Sequence, residues 1–167
     1  MSPDLSKLVA QLKGFEGWRP NAYIDTKGFI TIGYGLNLGR LVLPAGVRHQ
    51  DCDIRPVHGI TPQIGEALLL REAMAAVEDL HEALPWVAEL DEVRHRVLAD
   101  MAFNMGMGTP GGEHGLLSFV NTLKAIKERR WLDAAIGMRH SGWYRDVGPS
   151  RAEPLIRMME TGEDPDS

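Results

Sequence analysis

A glycine-rich segment near the N-terminus limits what this chain can fold into. Residues 14–35 read GFEGWRPNAYIDTKGFITIGYG, where Tyr23 and the run 29–32 have high strand propensity and residues 25–28, DTKG, are typical of a turn. Two or three short strands are therefore predicted over about 22–36. Because helical patterns dominate the rest of the chain, the predicted fold class is α+β.

Apolar residues recur at helical spacing on both sides of this segment. Leu5, Leu8, Val9 and Leu12 predict an N-terminal helix with Asp4 or Ser2 as its cap, and Glu16 is expected just past its last turn. Thr61 and Pro62 are typical of a helix start, and the helix they begin is predicted to run to about His81. Residues 37–59 and 106–115 are predicted loops, and further helices are expected at about 90–105, 116–128, 131–138 and 149–159.

The order of these elements predicts a single domain over 1–167 with two lobes. A chain of 167 residues is long enough for one domain with a sizeable core. We expect a small N-terminal lobe with the hairpin at about 14–60 and a connecting helix at about 61–81. A larger all-helical lobe is expected at about 82–162, with the N-terminal helix packed on it.

Composition excludes several classes of function. The single cysteine, Cys52, rules out an internal disulfide, and none of the six histidines has metal-ligand spacing to other ligands, so neither a metal nor another cofactor is expected. No apolar run is long enough for a membrane span, and the first eighteen residues are unlike a secretory signal peptide. A net charge of −5 without a binding motif argues against nucleic acid as a partner.

The charges are distributed unevenly along the chain. Residues 51–92 hold ten acidic residues against two arginines, whereas residues 119–157 hold eight basic residues against four acidic ones. Solvated helix faces account for most such charges. The alternative interpretation is that the C-terminal third faces an anionic polymer.

Two carboxylates and a hydroxyl in the opening segment suggest acid-catalysed cleavage of a sugar bond. Glu16 lies between Phe15 and Trp18, whose apolar surfaces favour a protonated acid, whereas Asp25 lies on a polar turn where a carboxylate stays ionised. Thr31 follows six residues later and could share a water molecule with Asp25. Glycosidases use one carboxyl group as general acid and a second as base or nucleophile. By spacing alone, a glutamate near a helix end and an aspartate in a turn are common in proteins without such activity.

The complete segment resembles the signature of the phage-type lysozymes, the endolysins of T-even and lambdoid-like phages. Their pattern is E-G-x-R-x-x-x-Y-x-D-x-x-G-x-x-T-x-G-x-G, and residues 16–35 fill its nine fixed positions without a gap. The sequences RHRVLADMAFNMG (94–106), FVNTLKAIKERRWLDAA (119–135) and SGWYRDVGPSRAEPLIRMMETG (141–162) are similar to later parts of the same family. The resemblance therefore covers the whole domain and implies the two-lobed lysozyme fold.

The resemblance also implies roles for individual residues. Glu16 matches the general acid, Asp25 the carboxylate that activates water or stabilises the cation, and Thr31 the hydroxyl that positions water. Arg151 matches an arginine that pairs with the catalytic glutamate, and this pairing would favour the ionised form of Glu16 against the effect of burial. Four positions match residues lining the saccharide cleft: Asn37, Phe103, Asn104 and Thr122. For Phe103 a place in the core is the favoured interpretation, whereas for Asn104 and Thr122 saccharide contact and helix capping fit the sequence equally well.

By resemblance, the chain is expected to be a muramidase acting on bacterial peptidoglycan, with inversion at the cleaved bond and lysis of the host cell as its purpose. We expect a monomer that is made in the host cytoplasm and acts on the periplasmic wall, without stable membrane insertion. Release through a holin is the preferred route, and carriage on a virion is the alternative. The alternatives are a lytic transglycosylase, which needs only one catalytic acid, and a non-catalytic phage component that binds the cell wall. The sequence departs from the family at Leu36, where some members have histidine, in a longer loop at 106–115, and in its acidic net charge.

Overall fold

The computed structural model describes residues 3–25, 28–40 and 59–165. Within these ranges it contains seven α-helices and one three-stranded sheet, which confirms the predicted α+β class. The helices are α1 Leu5–Glu16, α2 Pro62–Ala83, α3 Glu92–Met105, α4 Val120–Lys127, α5 Trp131–Arg139, α6 Gly142–Val147 and α7 Pro149–Thr161. The strands are β1 Arg19–Ile24, β2 Ile30–Gly33 and β3 Leu36–Asn37.

The sheet is antiparallel throughout, in the order β1-β2-β3. Tyr23 and Asn37 both pair with Thr31, one from each side, so Thr31 occupies the middle strand. The predicted strands are confirmed, but β1 begins at Arg19, a few residues before the predicted start. The register between β1 and β2 is irregular between Arg19 and Tyr23, and an irregular pairing of this kind lacks the strict alternation by which sequence reveals a strand.

Side-chain caps define the starts of several helices. The carboxylate Oδ1 of Asp4 accepts from the backbone N–H of Ser6 at 2.9 Å, and Thr61 Oγ1 accepts from the N–H of Ile64 at 3.3 Å, so both predicted caps are confirmed. Ser141 caps α6 in the same way through the N–H of Tyr144. Helix α6 was not predicted because six residues are too few to show a helical period.

Two short 3-10 helices lie where the sequence predicted only α-helices and the connections between them. The helix predicted over 116–128 is a short 3-10 helix, Leu116–Ser118, followed by α4. A second 3-10 helix, Pro85–Glu89, lies between α2 and α3. Glu16 is the last residue of α1, so the expectation that it lies beyond the helix was wrong by one residue. Of the loop predicted over 37–59, residues 41–58 lie outside the described residues.

The chain divides into two compact units. One, here called the hairpin unit, is Val9–Glu72 and holds the sheet; the other, the helical unit, combines Met1–Leu8 with Ala73–Ser167. Leu12, Ile32, Leu38 and Leu69 are buried residues of the hairpin unit. The fully buried side chains of the helical unit include Leu80, Leu98, Met101, Ile126, Met138, Leu155 and Ile156.

None of the helices in the described ranges combines the length and the apolar character that a membrane crossing requires.

Candidate active site

Glu16 ends α1 with a half-buried side chain that lies against the turn between β2 and β3. A Cβ atom added to Gly35 would lie 2.8 Å from Glu16 Oε2 and 3.5 Å from its Cδ. Gly35 also has a φ of +77°, a conformation that residues with a side chain rarely adopt. The backbone conformation therefore favours glycine at position 35, and a side chain there would also displace the Glu16 carboxylate.

Asp25 follows β1 and is fixed by the turn that it begins. Its Oδ1 accepts a hydrogen bond from the backbone N–H of Phe29 at 2.8 Å, while its own N–H donates to the carbonyl of Phe29 at 2.9 Å. The N–H of Gly28 closes the turn on the Asp25 carbonyl at 3.0 Å. The carboxylate consequently has a defined orientation, with Oδ1 engaged by the backbone and Oδ2 directed toward Thr31.

Thr31 is buried in the middle strand with only 2% of its surface exposed. Its Oγ1 lies 3.4 Å from Asp25 Oδ2 and 3.2 Å from the Phe29 carbonyl. A hydroxyl has a single proton, so it donates to one of these acceptors at a time and can accept from a third group. The long separation from the carboxylate suits a hydroxyl that would share a water molecule with Asp25.

Arg19 and Tyr23, two further fixed positions of the signature, support the same hairpin. The guanidinium carbon of Arg19 lies 4.3 Å from the centre of the Tyr23 ring, which is a cation–π contact along β1. Tyr23 in turn pairs with Thr31 across the sheet. These signature residues therefore stabilise the strand that leads into Asp25.

Asn37 lies opposite Thr31 on β3, so the structure brings this predicted cleft residue next to the predicted water-positioning residue. Its Oδ1 accepts from the backbone N–H of Gly39 at 2.8 Å, which fixes the orientation of the side-chain amide.

The other predicted cleft residues belong to the helical unit. Phe103 and Asn104 lie in the last turn of α3, Phe103 half-buried and Asn104 exposed, so neither residue is in the fully buried core. Thr122 is buried inside α4, which excludes a role as its N-cap, and a Cβ on Gly137 would lie 3.3 Å from Thr122 Cβ. Position 137 therefore has to be small where α5 passes Thr122.

Arg151 lies in α7 and is bound to a carboxylate that sequence reasoning missed. Its Nε and Nη2 donate to Oδ1 of Asp100 at 3.2 and 2.9 Å, and Asp100 is fully buried. The available signal was an aspartate between Leu98 and Met101 in a helix whose neighbouring positions are apolar. A charge at such a position requires a partner inside the protein.

The aromatic pair Trp143 and Tyr144 was predicted to serve mainly in packing. Trp143 is buried as expected. Tyr144 has a polar role as well, since its hydroxyl donates to Glu153 Oε1 at 2.9 Å, and Glu153 also binds the guanidinium of Arg139. Hydrogen bonding to Glu153 and desolvation raise the pKa of Tyr144, and the bond from Arg139 lowers the pKa of Glu153.

Among the residues that the structure describes, no group of three or more histidine, cysteine, aspartate or glutamate side chains has an arrangement that could hold a metal ion. His81 and His95 lie side by side, with their Nε2 atoms 2.9 Å apart.

Comparison with known proteins identifies the family of this chain. The sequence profile of the phage lysozyme family matches residues 13–148. A probable T4-type lysozyme 1 of Dictyostelium discoideum is 30% identical, with 95% of this chain and 96% of that protein covered. The peptidoglycan hydrolase gp36 of Pseudomonas phage phiKMV is 29% identical over 95% of this chain but only 16% of that protein. This chain therefore belongs to the phage lysozyme family and is an enzyme of the lysozyme type.

Proposed function

We propose that this chain hydrolyses the β-1,4 bond between N-acetylmuramic acid and N-acetylglucosamine in bacterial peptidoglycan. The observation that carries the proposal is the geometry of Asp25, with one carboxylate oxygen held by the Phe29 backbone and the other 3.4 Å from the buried hydroxyl of Thr31. A carboxylate oriented in this way, next to a hydroxyl, is suited to deliver a water molecule. The same unit contains Glu16, a half-buried acid at the end of a helix.

In the proposed reaction, Glu16 donates its proton to the leaving oxygen as positive charge develops on the sugar ring. Asp25 accepts a proton from the attacking water, and Thr31 holds that water in line. This scheme is inverting, which corresponds to a separation of ~6.5–9.5 Å between the two carboxyl groups rather than the ~5–5.5 Å of a double displacement. In the proposal, Arg151 pairs with Glu16, and Asn37, Phe103, Asn104 and Thr122 contact the saccharide.

The biological setting is part of the proposal. The enzyme acts as a monomeric endolysin that is made in the host cytoplasm and reaches the periplasmic wall through a holin, so that its activity lyses the cell. The phage peptidoglycan hydrolase among the similar proteins supports a phage context and peptidoglycan as the substrate.

Clearing of permeabilised Gram-negative cells tests the catalytic assignment. Glu16→Gln keeps the size of the side chain but removes its proton, so clearing should fall by at least ~100-fold. Glu78→Gln, which changes an exposed glutamate on α2, is the control and should clear cells like the wild-type protein. Equal clearing by Glu16→Gln and wild type would overturn the assignment.

The two catalytic alternatives give different products. A hydrolase releases reducing sugar ends, and an inverting one releases them first in the opposite anomeric configuration, whereas a transglycosylase forms anhydro ends. NMR of freshly released product separates inversion from retention, and mass spectrometry detects anhydro ends. Because Asp25 and Thr31 together provide for water, we expect reducing ends of inverted configuration.

A further inference from the structure

The edge of the Trp18 indole ring packs against two glycines of the hairpin unit. A Cβ on Gly65, in the first turn of α2, would overlap the ring, with Trp18 Cη2 at 2.8 Å. A Cβ on Gly33, the last residue of β2, would lie 3.6 Å from Trp18 Cζ3. The two glycines are themselves close, since that same added Cβ would be 3.8 Å from the Gly65 Cα. Trp18 therefore packs against both the end of β2 and the start of α2.

The presence of a glycine at position 65 is explained by this ring. Gly65 is a buried residue within a helix, where glycine is among the weakest helix formers. Nothing in a regular helix requires glycine, but any side chain at position 65 would displace the indole. The fold therefore accommodates the indole ring by placing glycine, a weak helix former, at position 65 of α2.

Trp18 also contacts the turn between β2 and β3. Its ring centroid is 4.9 Å from that of Tyr34, with the planes inclined at 48°. The ammonium group of Lys13 lies 5.6 Å from the centre of the Tyr34 ring and 3.2 Å from Oε1 of Glu66. Tyr34, in the turn Gly33-Tyr34-Gly35, is consequently contacted both by the Trp18 indole and by Lys13 of α1.

This turn is the one that meets Glu16. Gly35 follows Tyr34 directly, and an added Cβ there would lie 2.8 Å from Glu16 Oε2. We propose that Trp18 is a positioning residue for Glu16, because it fixes the turn against which the Glu16 carboxylate lies. The proposal rests on the role of general acid proposed for Glu16.

The expected consequence follows from how strongly proton transfer depends on geometry. A displacement of about 1 Å can lower a catalytic rate by about 100-fold. Replacing Trp18 with leucine leaves a gap under Tyr34, so kcat should fall by roughly 10- to 100-fold. KM should change less than threefold, because Trp18 has no assigned contact with the sugar. Trp18→Phe keeps an aromatic ring in the gap and should recover most of kcat.

The test is steady-state kinetics on dye-labelled peptidoglycan with matched controls. Trp131→Leu removes the tryptophan that stacks on Arg94 in the helical unit, and Gly14→Ala adds a methyl to a helical glycine with no neighbouring atom within 4 Å. Gly65→Ala should reproduce the kcat loss of Trp18→Leu, because its methyl pushes the indole away. Both controls should retain wild-type kcat when measured well below their melting temperatures. Wild-type kcat in Trp18→Leu, or an equal kcat loss in Trp131→Leu, overturns the proposal.

A double-mutant cycle separates this proposal from the function on which it rests. If Trp18 acts through Glu16, Trp18→Leu has no further effect on the residual activity of Glu16→Gln, so the two losses are not additive. Additive losses would overturn the positioning role. Full activity of Glu16→Gln by itself would instead overturn the proposed function, whatever the behaviour of Trp18→Leu.

Discussion

Asp100 and Arg151 form a buried ion pair that joins α3 to α7. The Nη2–Oδ1 distance is 2.9 Å, Asp100 is fully buried, and only 9% of the Arg151 side chain is exposed. Ions taken out of water at such a site are costly unless each satisfies the other. The pair therefore makes the position of Arg151 depend on one residue of a different helix.

Removal of Asp100 should destabilise the protein more than removal of both partners. Asp100→Ala leaves the Arg151 charge buried without this carboxylate, and we expect a loss of about 3–5 kcal/mol in the free energy of unfolding. Asp100→Leu combined with Arg151→Met fills the site with apolar atoms and should cost less than the single change. Urea unfolding measures both. A loss below about 1 kcal/mol in Asp100→Ala would contradict a structural role for the pair.

Arg94 should be irreplaceable by lysine because it binds the end of α7 with several nitrogens at once. Its Nε donates to the Met159 carbonyl at 2.8 Å and its Nη2 to the Glu160 carbonyl at 2.9 Å, while the guanidinium stacks on Trp131. A lysine ammonium cannot make this planar set of contacts.

We expect Arg94→Lys to lower the free energy of unfolding by about 2 kcal/mol, the value of one or two charge-assisted hydrogen bonds. Arg145→Lys, at an exposed position on α6, is the control and should stay within about 0.5 kcal/mol of wild type. Equal stabilities of the two variants in urea would show that the end of α7 does not depend on the guanidinium.

The stabilisation that Asp164 provides should be lost in acid. Its carboxylate accepts a hydrogen bond from the Arg96 guanidinium and binds the Lys7 ammonium at 3.2 Å. The bond from Arg96 is the main reason that the pKa of Asp164 lies below its ordinary value of 3.8. Because the pKa is lower in the folded state, the stabilisation is complete above pH 3.8 and is lost as the pH falls through the folded-state pKa.

The corresponding measurement is the melting of wild type and Asp164→Asn as a function of pH. At neutral pH the variant should be less stable by about 1–2 kcal/mol, and the difference should shrink as acid protonates Asp164 in the wild type. Asp146→Asn, an exposed change on α6, serves as control. A difference that does not depend on pH would mean that the charge of Asp164 is not what stabilises this region.

Tyr144 should ionise at a higher pH than an ordinary tyrosine. Its hydroxyl donates to the Glu153 carboxylate, so removal of the phenol proton would place two negative charges together and break that bond. The pKa of Tyr144 is therefore raised above its ordinary value of 10.0.

A near-ultraviolet titration of wild type minus Tyr144→Phe isolates this phenol from Tyr23 and Tyr34. The midpoint of the difference curve should lie above pH 10.0, and it should move back toward that value in Glu153→Gln. A midpoint that is the same with and without the Glu153 carboxylate would contradict the assigned cause.

Features encoded by neighbouring residues could be predicted from the sequence. The turn at Asp25, the strand through Thr31 and the start of α2 at Thr61 all rest on short-range signals, and the structure contains each of them. The short helix α6 was missed for a local reason, since it offers too few residues for a period to show.

The contacts that join distant parts of the chain could not be predicted in this way. Arg151 is 51 positions from Asp100, and Arg94 is 65 from the carbonyl of Met159, so no pattern within a segment reports either pair. The sequence does show that such partners are needed, because it places charged residues at helix positions that are expected to be buried. Which partner satisfies each charge is decided by how the helices pack, which is a property of the whole fold.

The catalytic rate should depend on the hydroxyl group of Thr31 and not on the branched shape of its side chain. Thr31→Val preserves the branched side chain in a site that is 2% exposed but removes Oγ1, which lies 3.4 Å from Asp25 Oδ2. If that oxygen positions the attacking water, kcat should fall by about 100-fold with little change in KM. Thr31→Ser retains the oxygen and should keep most of the activity.

Thr161→Val provides the matched control, since Thr161 Oγ1 donates to the Arg157 carbonyl in α7 and accepts from the N–H of Glu163 just beyond it, both of them local partners. It should keep wild-type kcat on peptidoglycan. Comparable activity of Thr31→Val and Thr31→Ser would assign the handling of water to Asp25 alone. A strong loss in Thr31→Val with recovery in Thr31→Ser would instead mean that Asp25 and Thr31 act on the water together. The serine variant keeps the hydroxyl oxygen that faces the carboxylate, and the valine variant has no atom there that can form a hydrogen bond.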